Sequence, residues 1–507
     1  MKPIPHRHHA AGKRKIRRRL DRAVTAPSPQ PVFTASNIHY DVADKTRAIP
    51  CGGIGAIHLM VWKLGLAEAI DERLHLLKFH FPYHESDHVL NFAYNALCNG
   101  TCLDDIELRR NDLVFLDALG ADRIPDPTTA GDFCRRFTAE DVEILQDVFD
   151  QTRVQVWQQQ PPEFFEEAIL DVDGTLVATG ACCKQGVDIA YDGTWGYHPL
   201  IISLANTGEV LSIVNRPGNR PSHEGAAEQL DLAILLCREA GFRRILLRGD
   251  TDFTQTRQLD AWDAEGVSFL FGIDAMPNLK ARAEDLPASD WAELQRSSQD
   301  AARGKPRTRP EKVKDRIVRE RGFKTLTRIR EEVAEVAYQP AACQRTYRLI
   351  LVRQTIQVEE GQTRLFDEIR YRFFLTNDRK SLPRELVFQG NDRCDQENLI
   401  AQLKGGVHAL RAAVDNLVSN WAYMVMTGLA WSLKAWFALS VPVHPGHKGR
   451  HRQQKRGLLR MEFKRFVNTI ILMPCQIVRG GHRLLYRLLS WNEWQGVFLR
   501  VVYALRC

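Results

Sequence analysis

The chain has 507 residues, a formal net charge of +7, 44% hydrophobic residues and 26% charged residues. This balance is that of an ordinary globular protein, so it excludes a fibrous, collagen-like or wholly disordered chain, and the length predicts two to four structural units. The longest apolar stretch, Trp421 to Val443, contains Lys434 and is interpreted as a buried helix rather than a membrane span.

Two further features bear on location. The basic N-terminus has no apolar run behind it, so no secretory signal is visible. Eleven cysteines are scattered along the chain without a Cys-x-x-Cys pair. Reduced thiols in the cytoplasm are therefore predicted, with no membrane partner.

Positive charge is concentrated in three stretches. Residues 1–22 carry a local charge of +8, residues 301–330 carry +9 and residues 443–487 carry +10. Since the whole chain carries only +7, the remainder is acidic. Basic stretches on an acidic body favour a polyanion partner, because each Lys or Arg that neutralises a phosphate releases a counterion. The alternative interpretation is that these runs are solvated faces or tails.

The first part of the chain is interpreted as two segments. Residues 1–50 combine the basic tail with several prolines and are typical of a flexible arm and linker. Residues 51–160 have mostly helical apolar spacing and are predicted to be a helical N-terminal domain, a candidate for DNA binding. Ser86 and Asp104 are predicted N-caps, and the turn over 125–128 should start a further helix.

The pattern changes after residue 160. Strands are predicted at 168–177, 200–204, 210–214 and 245–247, with a helix at 224–240 that Gly241 ends. The order strand, strand, strand, helix, strand is that of a ribonuclease-H-like α/β core, which a helix at 255–264 and a strand at 267–273 extend. This catalytic core is predicted to occupy residues 161–440.

The rest of the core is less regular. Residues 275–345 are polar and basic, and are interpreted as an insertion in the core. Strand patterns return at 347–352 and 371–376, and helices are predicted at 393–413 and 416–439. Residues 441–507 are predicted to form a basic, helical C-terminal region.

Acidic residues lie at three places in this core. Asp171 and Asp173 are near the end of the strand at 168–177 and share one face, because strand side chains alternate. Asp250 follows the strand at 245–247, with Asp252 close by. Glu397 follows Arg393 at i−4 on a predicted helix.

These residue types suit phosphodiester cleavage. In-line displacement can use two divalent ions, one to activate the attacking oxygen and one to stabilise the leaving oxygen. Mg²⁺ prefers carboxylate oxygens held by rigid elements, while Arg393 and Lys404 could hold phosphates. Each motif alone is weak, since Asp-x-Asp-Gly-Thr is also similar to the nucleophile loop of haloacid-dehalogenase-like phosphatases.

Together the motifs resemble a known family, the DDE transposases of bacterial insertion sequences with a Tyr-(2)-Arg-(3)-Glu-(6)-Lys signature. Arg393, Glu397 and Lys404 fit the last three positions of the signature, whereas Gly390 occupies the tyrosine position. Asp173-Gly174-Thr175 resembles the first aspartate motif, and Arg248-Gly249-Asp250 resembles the second. The resemblance covers about residues 50–490.

The resemblance implies a reaction and its partners. The enzyme would bind the terminal inverted repeats of its own element, cut the ends with metal-activated water, and join the freed 3′-OH to target DNA. Two Mg²⁺ ions, for which Mn²⁺ could substitute, would be held by Asp173, Asp250 and Glu397, while Arg393 and Lys404 would contact DNA. A homodimer in a synaptic complex and a nucleoid-associated cytoplasmic location are expected.

Several alternatives stay open. Asp171 is the rival of Asp173 as first metal ligand, and Asp252 is a weaker rival of Asp250. A non-catalytic DNA-binding protein derived from a transposase is the second functional hypothesis, and Gly390 in the tyrosine position keeps it open. A metal-dependent phosphatase built on Asp171 and Asp173 is the third, and the basic stretches speak against it.

Overall fold

The computed structural model describes residues 11, 13–15, 17–18, 35–40, 46–294, 313–360, 363–480 and 483–506. Most of the predicted basic arm and the middle of the predicted insertion therefore lie outside the described residues. Contacts within the chain divide it into two units, the first with residues 1–160, 178–187 and 401–507, and the second with residues 161–177 and 188–400. The four-part division by chain order stays a prediction.

The first unit is built from helices and one small sheet. Its helices are Ile54–Lys63, Leu66–Arg73, Glu85–Leu97, Glu107–Arg110, Leu113–Leu119, Pro127–Cys134, Ala139–Gln158, Leu417–Leu439, Lys448–Leu459, Phe463–Phe466 and Gln495–Arg506. The strands Ala48–Ile49, Cys475–Gly480 and Arg483–Leu488 form its antiparallel sheet.

The long helix Leu417–Leu439 lies in the core of the first unit. Nearly all of its side chains are buried, including Trp436. Lys434 is buried as well, where its Nζ donates to the carbonyl of Leu459 at 2.9 Å and lies over the ring of Trp431. The prediction of a buried helix is confirmed. Among the described residues no helix has the length and apolar character that a membrane crossing needs.

Two predicted N-caps in this unit are wrong. The helix Glu85–Leu97 begins one residue before Ser86, with His84 as its N-cap. Asp104 lies inside a short 3₁₀ helix, Leu103–Ile106, instead of in front of one. Serine and aspartate are also common inside a first helical turn, so their type alone did not locate the start.

The predicted helix start after residue 125 is confirmed. Asp126 is the N-cap of the helix Pro127–Cys134, and its Oδ1 accepts from the backbone N–H of Thr129 at 2.9 Å. Proline at the first helical position needs no N–H partner, so the sequence Asp-Pro-Thr-Thr favours this start.

The second unit is a mixed α/β structure around a nine-stranded sheet. Its strands are β1 (Ala168–Gly174), β2 (Leu200–Leu204), β3 (Glu209–Val214), β4 (Ile245–Gly249), β5 (Ser268–Ile273), β6 (Ala292–Glu293), β7 (Lys324–Tyr338), β8 (Tyr347–Glu360) and β9 (Thr363–Thr376). They are arranged in the order β6-β7-β8-β9-β5-β4-β1-β2-β3. The pairs β1–β4 and β4–β5 are parallel, and the other pairs are antiparallel.

The helices of the second unit connect and cover this sheet. They are Ala226–Ala240, Leu259–Ala264, Pro277–Glu284, Val313–Glu320, Pro383–Asn391 and the start of Cys394–Gly405. The first of them ends at Gly241, as predicted, with φ of +100° in the left-handed region that glycine tolerates. The helix Pro383–Asn391 packs on the sheet through Leu386 and Val387, which join a buried cluster with Leu270 and Ile350.

Strand β7 was not predicted from the sequence. This strand lies inside the region interpreted as an insertion, yet it pairs with β8 over its whole length. Its buried Glu331 and Glu332 break the apolar pattern of a strand, and they are tolerated because Arg372 and Arg353 pair with them at 3.0 and 2.9 Å. A strand whose buried positions are acidic cannot be recognised by apolar alternation.

Candidate active site

The site lies at the edge where the parallel strands β1 and β4 end. Asp173 is the last residue but one of β1, and Asp250 follows β4 directly. Because adjacent parallel strands present their carboxyl ends at the same edge, the two carboxylates are neighbours despite their separation in the chain.

The guanidinium of Arg393 lies among three carboxylates of the second unit. Its Nη1 is 3.4 Å from Asp173 Oδ2 and 3.9 Å from Asp250 Oδ2. Its Nη2 is 3.6 Å from Glu397 Oε1. The structure therefore brings together the predicted residues Asp173, Asp250, Glu397 and Arg393 from three separate elements.

Arg393 is not in a helix, contrary to the prediction of a helix over 393–413. It occupies the turn between the helices Pro383–Asn391 and Cys394–Gly405, and the second of these ends at Gly405. Glu397 lies in the first turn of that helix, and Lys404 lies in its last turn, within the first unit.

Gln396 holds the first turn of this helix against the sheet, and it was not among the predicted site residues. Gln396 is buried, and its Oε1 accepts from the hydroxyl of Ser203 on β2. Its Nε2 donates to the carbonyl of Ile201 at 3.3 Å. Since Gln396 directly precedes Glu397 in the chain, these two bonds hold the backbone of Glu397 in place relative to β2. A glutamine beside a candidate carboxylate gives no recognisable signal in sequence.

Charge repulsion and burial dominate the electrostatics of the site. Burial, together with the nearby charge of Asp250, raises the pKa of Asp173 to about 7, although Arg393 opposes the shift. Burial also raises the pKa of Asp250 above its usual range, and Arg393 again opposes it. One guanidinium thus compensates three carboxylates incompletely, so the site favours an added positive charge.

The donor set suits a hard divalent cation, since it consists of carboxylate oxygens. Among the residues that the structure describes, no three His, Cys, Asp or Glu side chains already converge closely enough to hold one ion. In this arrangement Arg393 lies where the carboxylates face one another. A cation bound by Asp173 and Asp250 would replace the contacts that Arg393 makes with them.

Asp171, the rival first ligand, has a different environment. Its Oδ1 accepts from Arg248 Nε at 2.7 Å and its Oδ2 accepts from Arg248 Nη2 at 2.8 Å. Arg248 also donates through Nη1 to the carbonyl of Gln389 at 2.8 Å. Burial raises the pKa of Asp171, and the two bonds from Arg248 oppose that rise. Both oxygens of Asp171 are committed to this pair, which favours Asp173 as a ligand.

Asp252, the weaker rival of Asp250, lies in the 3₁₀ turn Thr251–Phe253. Its side chain is exposed, while its backbone N–H donates to Asp250 Oδ1 at 3.0 Å. In this arrangement Asp252 orients Asp250 through the backbone, and Asp250 is the carboxylate that contacts Arg393.

Gly390 occupies the tyrosine position of the signature and is tightly packed. A Cβ atom on Gly390 would lie 2.8 Å from Cε1 of Phe374 on β9, closer than real contacts allow. The ring of Phe374 therefore fills the space next to this helix position. A tyrosine at residue 390 fits only if the ring of Phe374 moves.

Comparisons with known proteins add to this geometry. The profile of the family described as "Transposase DDE domain group 1" matches residues 50–460. No curated protein matches the chain. Among solved structures, the chain is similar to a piggyBac transposase in a synaptic complex with hairpin DNA, at 12% identity, over 83% of this chain and 82% of that chain, with a TM-score of 0.36.

Proposed function

Because this chain belongs to the group 1 family of transposase DDE domains, we propose that it is the transposase of a bacterial insertion sequence. In this proposal it binds the terminal inverted repeats of its element, cleaves the DNA ends and joins the 3′-OH to target DNA. The observation that carries the proposal is the convergence of three carboxylates from β1, the end of β4 and the helix Cys394–Gly405 around Arg393.

Asp173, Asp250 and Glu397 are proposed as the ligands of two Mg²⁺ ions, with Mn²⁺ as a substitute. Such ions activate a water and stabilise the leaving oxygen of an in-line displacement. The raised pKa of Asp173 shows that its ionised form lacks enough positive charge nearby in the metal-free protein. A bound divalent ion would supply that charge and favour the ionised carboxylate, which fits this assignment. Asp171 is assigned a supporting role through its pair with Arg248.

Arg393 and Lys404 are proposed to contact DNA phosphates. Arg393 is only partly exposed and already faces the carboxylates, so it could turn its planar fork to a phosphate once cations occupy Asp173 and Asp250. Lys404 follows on the helix that carries Glu397, where the family signature has its lysine.

We also propose that β1 to β5 form a ribonuclease-H-like core. The order β3-β2-β1-β4-β5, with β2 antiparallel to β1 and the helix Ala226–Ala240 between β3 and β4, supports this assignment. A homodimer would be required to hold two element ends together. The proposed reaction on DNA also implies that the protein acts in the bacterial cytoplasm, at the nucleoid.

A second candidate is a non-catalytic DNA-binding protein derived from a transposase. The observation that favours it is Gly390, which lacks the side chain of the signature tyrosine and lies tightly against the ring of Phe374. Retention of all three carboxylates around one guanidinium favours the catalytic candidate.

Cleavage of a labelled duplex that ends in the element's own terminal repeat separates the two candidates. Cuts at the repeat end with Mg²⁺ or Mn²⁺, abolished by chelator and in Asp173→Asn and Glu397→Gln with binding retained, are the expected result. Unchanged cleavage in either variant would overturn the assignment of the site. Salt-sensitive binding without any cut would establish the non-catalytic candidate.

A further inference from the structure

The helix Lys448–Leu459 of the first unit is strongly basic. The helix and its C-cap, Arg460, carry six cationic residues and no Asp or Glu: Lys448, Arg450, Arg452, Lys455, Arg456 and Arg460. Like charges four residues apart destabilise a helix, so this composition lowers the stability of the isolated element. Binding of an anion would offset that repulsion.

The helix is held firmly on one side. His451 and Leu458 are buried on that side. Gly457 allows a close approach to Trp494, because a Cβ at this position would lie 3.1 Å from the ring atom Cη2. The opposite face is therefore presented to solvent in a fixed orientation, on a helix rather than on a loose tail.

That opposite face carries a row of arginines, which we call the arginine row: Arg452, Arg456 and Arg460. All three are exposed. At four-residue spacing, successive members lie about 6 Å apart along the axis and turn by about 40°. In the part of the chain that the structure describes, the side chains of Arg456 and Arg460 make neither a hydrogen bond nor an ion pair.

We propose that the arginine row binds the phosphate backbone of duplex DNA, an inference that rests on the proposed function for the nature of the partner. Guanidinium forks bind phosphate oxygens in pairs, and the row presents several at regular spacing. Gly449 lies on the same face with open space around its Cβ position, so a phosphate can approach the first turn of the helix closely.

A membrane surface fits this face poorly. An interfacial helix inserts apolar side chains into the lipid. Here the apolar Leu458 is buried within the protein, and the other exposed residues of the helix, Lys448, Gly449, Arg450 and Gln453, have no apolar side chain. The complementary partner is therefore a regular array of phosphates.

The test uses the full chain with the double substitution Arg456→Gln/Arg460→Gln. Affinity for duplex DNA is measured over a range of salt concentrations in the presence of chelator. Each lost phosphate contact removes about 0.9 from the slope of log affinity against log salt, so a reduction of about two is expected. The thermal midpoint should not fall below the wild-type value, because neither side chain has a partner within the described residues and the substitutions relieve the repulsion along the helix.

A matched control removes the same charge elsewhere. Arg379 and Arg384 are exposed and follow the end of β9, at the sheet edge opposite the candidate active site. Arg379→Gln/Arg384→Gln should leave the slope unchanged, and Arg456→Lys/Arg460→Lys should retain it. A wild-type slope in Arg456→Gln/Arg460→Gln, or an equal reduction in the control, would overturn the inference.

Two further arms separate the remaining outcomes. Binding of the wild-type protein to phosphatidylserine vesicles that is lost in Arg456→Gln/Arg460→Gln would assign the row to lipid and overturn the DNA proposal. Failure of the proposed function is seen independently, as absence of metal-dependent cleavage by the wild-type protein. The salt slope is measured without metal and does not depend on cleavage.

Discussion

The ring of Phe374 lies 2.8 Å from the point where Gly390 would place a Cβ atom. Any side chain at residue 390 must therefore displace this ring, which packs against the same buried cluster as the helix Pro383–Asn391. In this structure a glycine at residue 390 leaves room for the Phe374 ring, which gives a physical reason for the departure from the signature.

Substitution of Gly390 should destabilise the protein. Gly390→Ala or Gly390→Tyr is expected to reduce the free energy of unfolding by about 1–3 kcal/mol, as overpacking of a core does. Urea denaturation measures the change. Gly405→Ala is the matched control, since its Cβ would meet nothing within 4 Å and alanine favours a helix. A more stable Gly390→Ala variant would contradict the packing described here.

Substitutions of Asp171 and Asp173 should have different consequences. Asp171→Asn weakens the partner of the buried Arg248, and breaking a buried pair in this way costs about 3–5 kcal/mol. Asp173→Asn should abolish cleavage without loss of folding. Denaturation and cleavage of both variants separate the two roles, and Asp171→Leu/Arg248→Met should recover part of the lost stability. A stable Asp171→Asn variant that has lost only cleavage would make Asp171 the first ligand instead.

Several strands of the core are encoded by local sequence, whereas the polar pairs between strands are not. The strands β1, β4 and β5 were predicted because short apolar runs with turn residues at their ends identify buried strands. The pair of Asp171 with Arg248 was not predicted, because its members lie 77 residues apart and meet only when two strands pair. β7 was missed for the same reason, since its buried Glu331 depends on Arg372 of another strand.

In the candidate active site, too, some residues could be predicted from local sequence and others could not. Asp173, Asp250 and Glu397 could be proposed from strand ends and spacing, and the structure brings them around Arg393. The bond between Gln396 and Ser203 could not, because it joins a helix to a strand far away in the chain. Local sequence patterns identify helices and strands, whereas polar pairs between residues distant in the chain are known only once the fold is known.

Gln396 should position Glu397 through its bonds to β2. Gln396→Leu removes the acceptor of Ser203, and the buried hydroxyl left unpaired costs about 1–3 kcal/mol. Metal-dependent cleavage should fall by about tenfold or more while DNA binding is retained. A misplaced Glu397 that raises the activation free energy by about 1.4 kcal/mol lowers the cleavage rate by a factor of ten. Single-turnover cleavage and DNA affinity are the measurements.

Ser203→Ala tests the same bond from its other end. The double variant Gln396→Leu/Ser203→Ala should lose less stability than the two single variants together, with a coupling of about 0.5–3 kcal/mol. Asn398→Ala, an exposed change on the same helix, serves as the control and should stay close to wild-type stability. Additive losses would show that the two side chains act independently.

The stability of the metal-free protein should depend on pH through Asp173. Its pKa is about 7 in the folded protein against 3.8 as the ordinary value, so between these values the folded state binds a proton that the unfolded state lacks. Stability is then lost as pH rises from about 4 to 7, by at most about 1.4 kcal/mol per pH unit. Asp173→Asn removes this dependence and should be more stable than the wild type at pH 8 in chelator, with the difference vanishing near pH 4.

Divalent ions should reduce that difference in stability between Asp173→Asn and the wild type. At pH 8, Mg²⁺ binds only the folded wild-type protein well, and a concentration of ten times the dissociation constant adds about 1.4 kcal/mol. Asp173→Asn lacks a ligand and should gain little. Urea denaturation at several pH values gives four curves of stability against pH, for the wild type and for Asp173→Asn, each with chelator and with Mg²⁺. The control is Glu239→Gln, which removes an exposed carboxylate on the helix Ala226–Ala240. Equal stabilisation of wild type and Asp173→Asn by Mg²⁺ would exclude Asp173 as a metal ligand.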